Sequence, residues 1–489
     1  MAARLTSYLV VGIVAVTLIA GLIVRAQRDD SDGPVDLIVH NAVVFTGDRS
    51  HPAAEAVAVR ANQILKVGSN REILRMKRPQ TVLIDARGAS VLPGFNDAHM
   101  HLMEGGLSLD GVDLSGVATI DEAVERVRAW AELNPDTRWV AGRGWRDFGA
   151  DVGPTRQALD AVVADRPVYL VSEDGDAAWV NSRALKLAKI ARRTADPENG
   201  RIARDKKGEP TGVLEGAATQ LVASLLPQPS REDRMHALLS ALAEAQRLGI
   251  TSIQTTAEDA AEIEMFDTAR RDGSVDMRLY SVLEVGDARH DRDVAQLDPV
   301  LEGYPDDPLM KSGAASVHLD GMDRDGLNRL VRLLDARGWQ VSIETDTPEE
   351  TEEARTAFAH AVRSNAAPVR DRRHRLEHQD GIFTETGRTK AIGSDWPRGP
   401  LAPMRVLQAA LTRFALKDAL RAYTYGGAVA SYDEQRKGTL EPGMLADIVV
   451  LSKNIFELEP SQLDTVKVAY TIFDGRVVFP VDHRTTNFP

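Results

Sequence analysis

Two histidines at i and i+2 end the run Pro93-Gly94-Phe95-Asn96-Asp97-Ala98-His99-Met100-His101, directly after the apolar stretch Ser90-Val91-Leu92. Alternate residues of a β-strand share a face, so His99 and His101 point the same way at one strand end. Two imidazole nitrogens held side by side form a clamp for a divalent metal ion. The chain has no cysteine. Thiolate sites and disulfides are thereby excluded, and a metal must sit on imidazole, carboxylate or a modified side chain.

A length of 489 residues suffices for a large core and for two or more structural units, or for one barrel with additions. With 43% hydrophobic and 27% charged residues, the composition is that of an ordinary globular protein. A formal charge of -13 argues against a nucleic-acid surface, which calls for a basic stripe. From Leu5 to Val24 the chain is apolar and almost uncharged, and as a helix of about 30 Å it is long enough to cross a bilayer. Residues 5–25 therefore read as an uncleaved transmembrane anchor and a membrane location, with a cleaved signal segment and export as the alternative. Residues 26–34 follow as a polar linker.

Strand-like runs crowd both ends of what remains. Val35 to Val39, Ala42 to Phe45, Ala56 to Val59, Gln63 to Val67 and Thr81 to Ile84 lie near the start, and Asp447 to Leu451, Val466 to Ile472 and Arg476 to Phe479 near the finish. The two ends, 35–90 and 436–480, are expected to pair into one small composite β-sandwich, with 91–435 as an α/β body inserted between them. Within that body, apolar strands at Gly249 to Ile253, Arg278 to Leu283, Ala315 to Leu319, Gln340 to Ile343, His374 to Glu377 and Lys390 to Ser394 alternate with amphipathic helices. This is the signature of parallel βαβ units. Residues 102–248 are too many for one crossover and read as an inserted subdomain.

Taken together, Asp36-Leu37-Ile38, the Pro93 to His101 run, Asn181 to Leu185, Pro210 to Glu215, Arg375 to His378, Gly393-Ser394-Asp395-Trp396-Pro397 and Glu441 to Asp447 resemble the amidohydrolase superfamily. The branch they resemble most includes the N-substituted formamide deformylases. The resemblance implies a (β/α)8 barrel of the TIM type beside a composite β-sandwich. It also implies hydrolysis of non-peptide C–N bonds, such as those of amides or formamides, by a divalent metal. Residue by residue, it assigns His99 and His101 to the ligand pair of the first barrel strand and His378 to the sixth-strand ligand. Asp395 corresponds to the strand-8 carboxylate that serves as catalytic base. Zinc is the expected ion, and a small amide the expected substrate.

Departures from the family pattern lie elsewhere in the barrel. Ser316 stands where the family has a lysine that is carbamylated, so one ion is expected rather than two. Glu344 occupies the fifth-strand histidine position and is a legitimate hard ligand for zinc. His318, two residues beyond Ser316, shares its strand parity, although a lone histidine in a strand is more often simply packed. Asp176 stands at a position where the family tends to have a substrate-facing histidine. Between His378 and Asp395 there is no room for a seventh strand with two crossovers, because one βαβ unit needs about 30 residues. A barrel lacking strand 7 is expected. An inactive amidohydrolase-like protein that binds a small ligand or a partner is the alternative function. Nothing in the sequence speaks to the oligomeric state.

Overall fold

The computed structural model describes residues 34–480 apart from 147, 149–152, 287–289, 305–306, 320–321, 346, 369, 379–382 and 387–388. Parallel strands covered by helices must be apolar on both faces, and the runs Ile250–Ala257 and Met310–Val317 are buried at every position. Six strands pair in parallel, in chain order: β1 (Phe95–Met100), β2 (Ile250–Ala257), β3 (Arg278–Val285), β4 (Met310–Val317), β5 (Gln340–Thr345) and β6 (Arg375–His378). Two more, β7 (Phe383–Thr386) and β8 (Thr389–Ile392), extend the sheet to eight strands, with β7 antiparallel to both of its neighbours.

The segment after β8 returns to the end of β1. Asp395 N donates to His99 O at 2.9 Å, and His101 N donates to Trp396 O at 2.8 Å. Gly393 permits this approach, since a Cβ there would lie 2.6 Å from His99 N. The sheet is thus barrel-like and its mouth is closed by backbone hydrogen bonds.

This corrects the expected (β/α)8 barrel with strand 7 missing. The seventh position is filled, but by a strand running the opposite way. A parallel crossover needs a dozen or more residues, whereas an antiparallel hairpin needs only a short turn. The interval between β6 and β8 leaves room only for the latter, and β8 still arrives pointing towards the mouth.

A second correction concerns the membrane. The helix expected at 5–25 falls outside the described residues, as does most of the linker at 26–34. Among the described residues no helix is long and apolar enough to cross a membrane, and the expected transmembrane helix is not part of the described fold.

Strands from the two chain ends do pair. Ile448–Leu451 runs antiparallel to Ser90–Pro93 within a six-stranded sheet that also holds Val468–Phe473 and Arg476–Phe479. A four-stranded sheet built from Leu37 to Asp85 shares a core with it, through Leu37, Val59, Ile64, Val91, Ile448 and Ile472. Arg278, buried at the start of β3, ties the barrel to this unit with bonds to Asp447 at 2.6 Å and Asp474 at 2.9 Å. Six strands between Val112 and Gly216 form a separate sheet.

The helices follow their sequence periods. Arg324–Ala336 buries Leu327, Leu330, Val331 and Leu334 at spacings of three and four. The acidic run after Thr347 opens the helix Pro348–Ser364, where Thr347 and Glu350 form a capping box and the first-turn acids oppose the helix dipole.

Candidate metal centre at the barrel mouth

His99 and His101 stand at the carboxyl end of β1, each less than a tenth exposed. Their rings lie 5.2 Å apart between centroids and are nearly perpendicular at 83°. Behind them Asp97 is fully buried and accepts from Ser394 N at 2.9 Å, Tyr423 OH at 3.0 Å and His99 N at 3.3 Å. Burial pushes its carboxyl up to about 6 against the pull of these bonds. Asp97 therefore fixes the strand end from which the two imidazoles project.

Asp395 reaches the same point from the opposite side of the closure. Its φ of 51° lies in the left-handed region, which aspartate tolerates better than most residues and which is over-represented at functional sites. Trp396, the next residue, packs over the helix Leu102–Leu109 at Gly105, where a Cβ would run into the indole ring at 2.1 Å. Asp395 Oδ1 lies 3.5 Å from His99 Nε2 and 3.4 Å from His101 Nε2. Burial would raise its pKa, but the two imidazoles outweigh burial and hold the carboxyl well below the usual range. Three possible ligand atoms, one each from His99, His101 and Asp395, lie within 4.8 Å of one another.

Glu344, on β5, places Oε1 3.4 Å from His99 Nε2. Both Glu344 Oε1 and Asp395 Oδ1 are buried without a hydrogen-bond partner. A buried carboxylate oxygen lacking a donor is costly, and a cation among these side chains would relieve both atoms. The gaps of 3.4 to 3.5 Å match the edge of a tetrahedron with zinc–ligand bonds of ~2.0–2.2 Å, which is about 3.3–3.6 Å. The residues present therefore fit a single divalent ion.

The other assigned positions stand apart from this cluster. Ser316 is buried on β4. His318, beyond β4, comes no nearer than 4.0 Å to Glu344 Oε2 and is 43% exposed, more open than the imidazoles of the clamp. His378 ends β6 opposite Thr345, and its side chain lies outside the described residues. Asp176 is exposed on the turn before the strand Ala177–Val180.

Two residues of the site were not singled out from the sequence. Glu377, buried on β6, accepts from Ser342 Oγ at 2.9 Å and from Thr384 Oγ1, and pairs with Arg375 at 2.6 Å. Arg375 in turn donates to Gln254 Oε1 at 2.8 Å and to Ala98 O. Burial opposes protonation of His99, but Glu377, Asp395 and Glu344 outweigh it and push the imidazole up to about 9. Arg398 is the second, with Nη1 2.7 Å from His101 Nε2. The motif Arg375-Leu376-Glu377-His378 could have drawn attention to the glutamate, because strand parity sets it opposite Leu376. For Arg398 no local signal exists, since only the turn after Asp395 brings it back to the mouth.

The family model described as "Amidohydrolase family" matches residues 82–392 and 383–479. The protein LONG AFTER FAR-RED 3 of Arabidopsis thaliana is 27% identical over 91% of this chain and 92% of its own length. The N-substituted formamide deformylase of Arthrobacter pascens is 32% identical over 58% of this chain and 54% of its own. Among solved structures, an uncharacterized metal-dependent hydrolase from Pyrococcus horikoshii OT3 shares the fold, with a TM-score of 0.63 at 18% identity over 87% of this chain and 99% of that one. A paired-histidine strand end, a facing aspartate and a match spanning most of the chain agree, and the protein belongs to the amidohydrolase family.

Proposed function

We propose that the chain hydrolyses a non-peptide C–N bond in a small amide or formamide, using one divalent ion held by His99, His101 and Asp395 with Glu344 beside them. The observation that carries this reading is the spacing of 3.4 to 3.5 Å from Asp395 to both histidines and from Glu344 to His99, with Asp395 Oδ1 and Glu344 Oε1 left buried and unpaired. Zinc is the first ion to test, because imidazole and carboxylate at these spacings suit it. When bound, such an ion supplies a water pKa lowered towards about 7 and a polarised carbonyl.

The remaining work falls to this chain's own groups. Asp395, kept ionised by the two imidazoles, takes the proton of the attacking water and returns it to the leaving amine. His99 is oriented by carboxylates on two sides, Glu344 and Asp395. Ser316 has no amine to be carbamylated, which supports one ion rather than two. The likeness to an N-substituted formamide deformylase makes N-formyl amines the first substrates to try.

Ser316 and the reversed β7 favour a second reading, a barrel that binds a small ligand or a partner without turnover. Hydrolysis of an N-formyl amine separates the two. Turnover is expected in the zinc-loaded chain, lost on chelation, restored by zinc and absent from His99→Ala. A zinc-loaded chain inert towards a panel of formamides and simple amides would leave only the second reading.

A further inference from the structure

Arg398 sits three residues beyond Asp395 on a tight turn. Its backbone N–H donates to Asp395 O at 2.8 Å, and Gly399 N donates to the same oxygen at 2.9 Å. The guanidinium is thereby returned over the cluster. Nη1 lies 2.7 Å from His101 Nε2 and 3.9 Å from Asp395 Oδ1. A guanidinium has donors only and does not lose its proton in a protein. Across so short a contact Arg398 is the donor and His101 Nε2 the acceptor. The lone pair that receives Arg398 is the one that a metal ion would use.

Two cations cannot share that lone pair. We propose that Arg398 is a displaceable plug on the metal-ligand nitrogen of His101, so that a divalent ion enters only as the guanidinium swings away. The inference rests on the metal reading above and adds a regulator of the same site. An alternative seat for the displaced group is already in place. Glu104 Oε2 lies 3.8 Å from Arg398 Nη2, while the other oxygen of Glu104 is taken by Arg143 at 3.2 Å. The arm thus has two carboxylates and one imidazole within reach, and metal binding shifts it from the imidazole towards Glu104. Small movements suffice, because the turn anchors Arg398 to Asp395 and only the side chain needs to change rotamer.

Removal of a positive charge near a site tightens cation binding whether or not that charge touches a ligand, so the test needs a control of equal charge. Arg143 provides it, since it bonds Glu104 rather than His101. Zinc affinity is measured by chelator competition on the full chain for the wild type, Arg398→Met and Arg143→Met, after thermal melts establish that each is folded. Arg398→Gln serves if the methionine variant lacks a cooperative melt. Loss of a charge-assisted hydrogen bond that competes with the metal is expected to tighten zinc binding roughly tenfold in Arg398→Met. The screened charge effect in Arg143→Met is expected to be about threefold or less. Equal changes in the two variants, or none in Arg398→Met, overturn the plug while leaving the metal reading intact. Absence of zinc binding from all three proteins overturns the metal reading and the plug with it.

Discussion

On the β1 and β8 side of the barrel mouth, Asp395 Oδ1 lies within 3.5 Å of both His99 Nε2 and His101 Nε2, and this buried oxygen is free of any hydrogen bond. Across the sheet from them, Glu377 of β6 is instead bonded to groups on three strands. Glu377 holds Ser342 of β5, Arg375 of β6 and Thr384 of β7, and Ser316 offers no ligand. The first side, with Glu344 of β5 at its border, carries unspent coordinating capacity, and the second is knit together around Glu377. A strand reversed in direction no longer has to present a ligand at the mouth, but it still has to be joined to its neighbours, and a buried carboxylate shared by three strands does that. The contrast teaches that ligand geometry and barrel closure can be divided between opposite sides of one sheet.

Substitutions on the two sides should therefore fail in different ways. The largest effect is expected from Asp395→Asn, which removes the proposed proton acceptor: kcat should fall by about 10²–10⁴-fold with little change in melting temperature. Steady-state kinetics beside a thermal melt reads both. Glu377→Gln should do the converse, destabilising the fold by about 3 kcal/mol because Arg375 is left as an uncompensated buried charge. Burial raises the pKa of Glu377, but Arg375, His99, Thr384 and Ser342 outweigh burial and hold it below the ordinary 4.5. Its stabilisation is thus present above that pH and is lost as the pH falls below it, so the stability gap between wild type and variant should narrow in denaturant titrations at acidic pH. Glu344→Gln lies at the border of the two sides and should show the smallest effect. A weakening of zinc binding by about tenfold or less is expected, in the range of supporting groups around a metal. If Glu344→Gln abolished zinc binding, Glu344 would be a full ligand and the division between the sides would shift by one strand.

Much of this was legible in the chain because it is local. The i, i+2 histidines needed only strand parity, and β2, β3, β5, β6 and the helix after Thr347 needed only apolar period and capping chemistry. The pairing of the chain ends followed from two β-rich segments with no other partner. The reversed β7 was not legible. Phe383-Thr384-Glu385-Thr386 is short and polar, and the length argument that excludes a parallel strand is silent on an antiparallel one. Arg398 and Glu377 were hidden for a different reason: their roles depend on which strands are neighbours, and that is settled by closure of the whole sheet.

The most direct measurement is the metal content of the purified chain after refeeding with zinc, compared with that of His99→Ala. About one zinc per wild-type chain and none retained by the variant is the expected result. No zinc in the wild type, or equal zinc in both, would contradict a metal centre built on His99, His101 and Asp395.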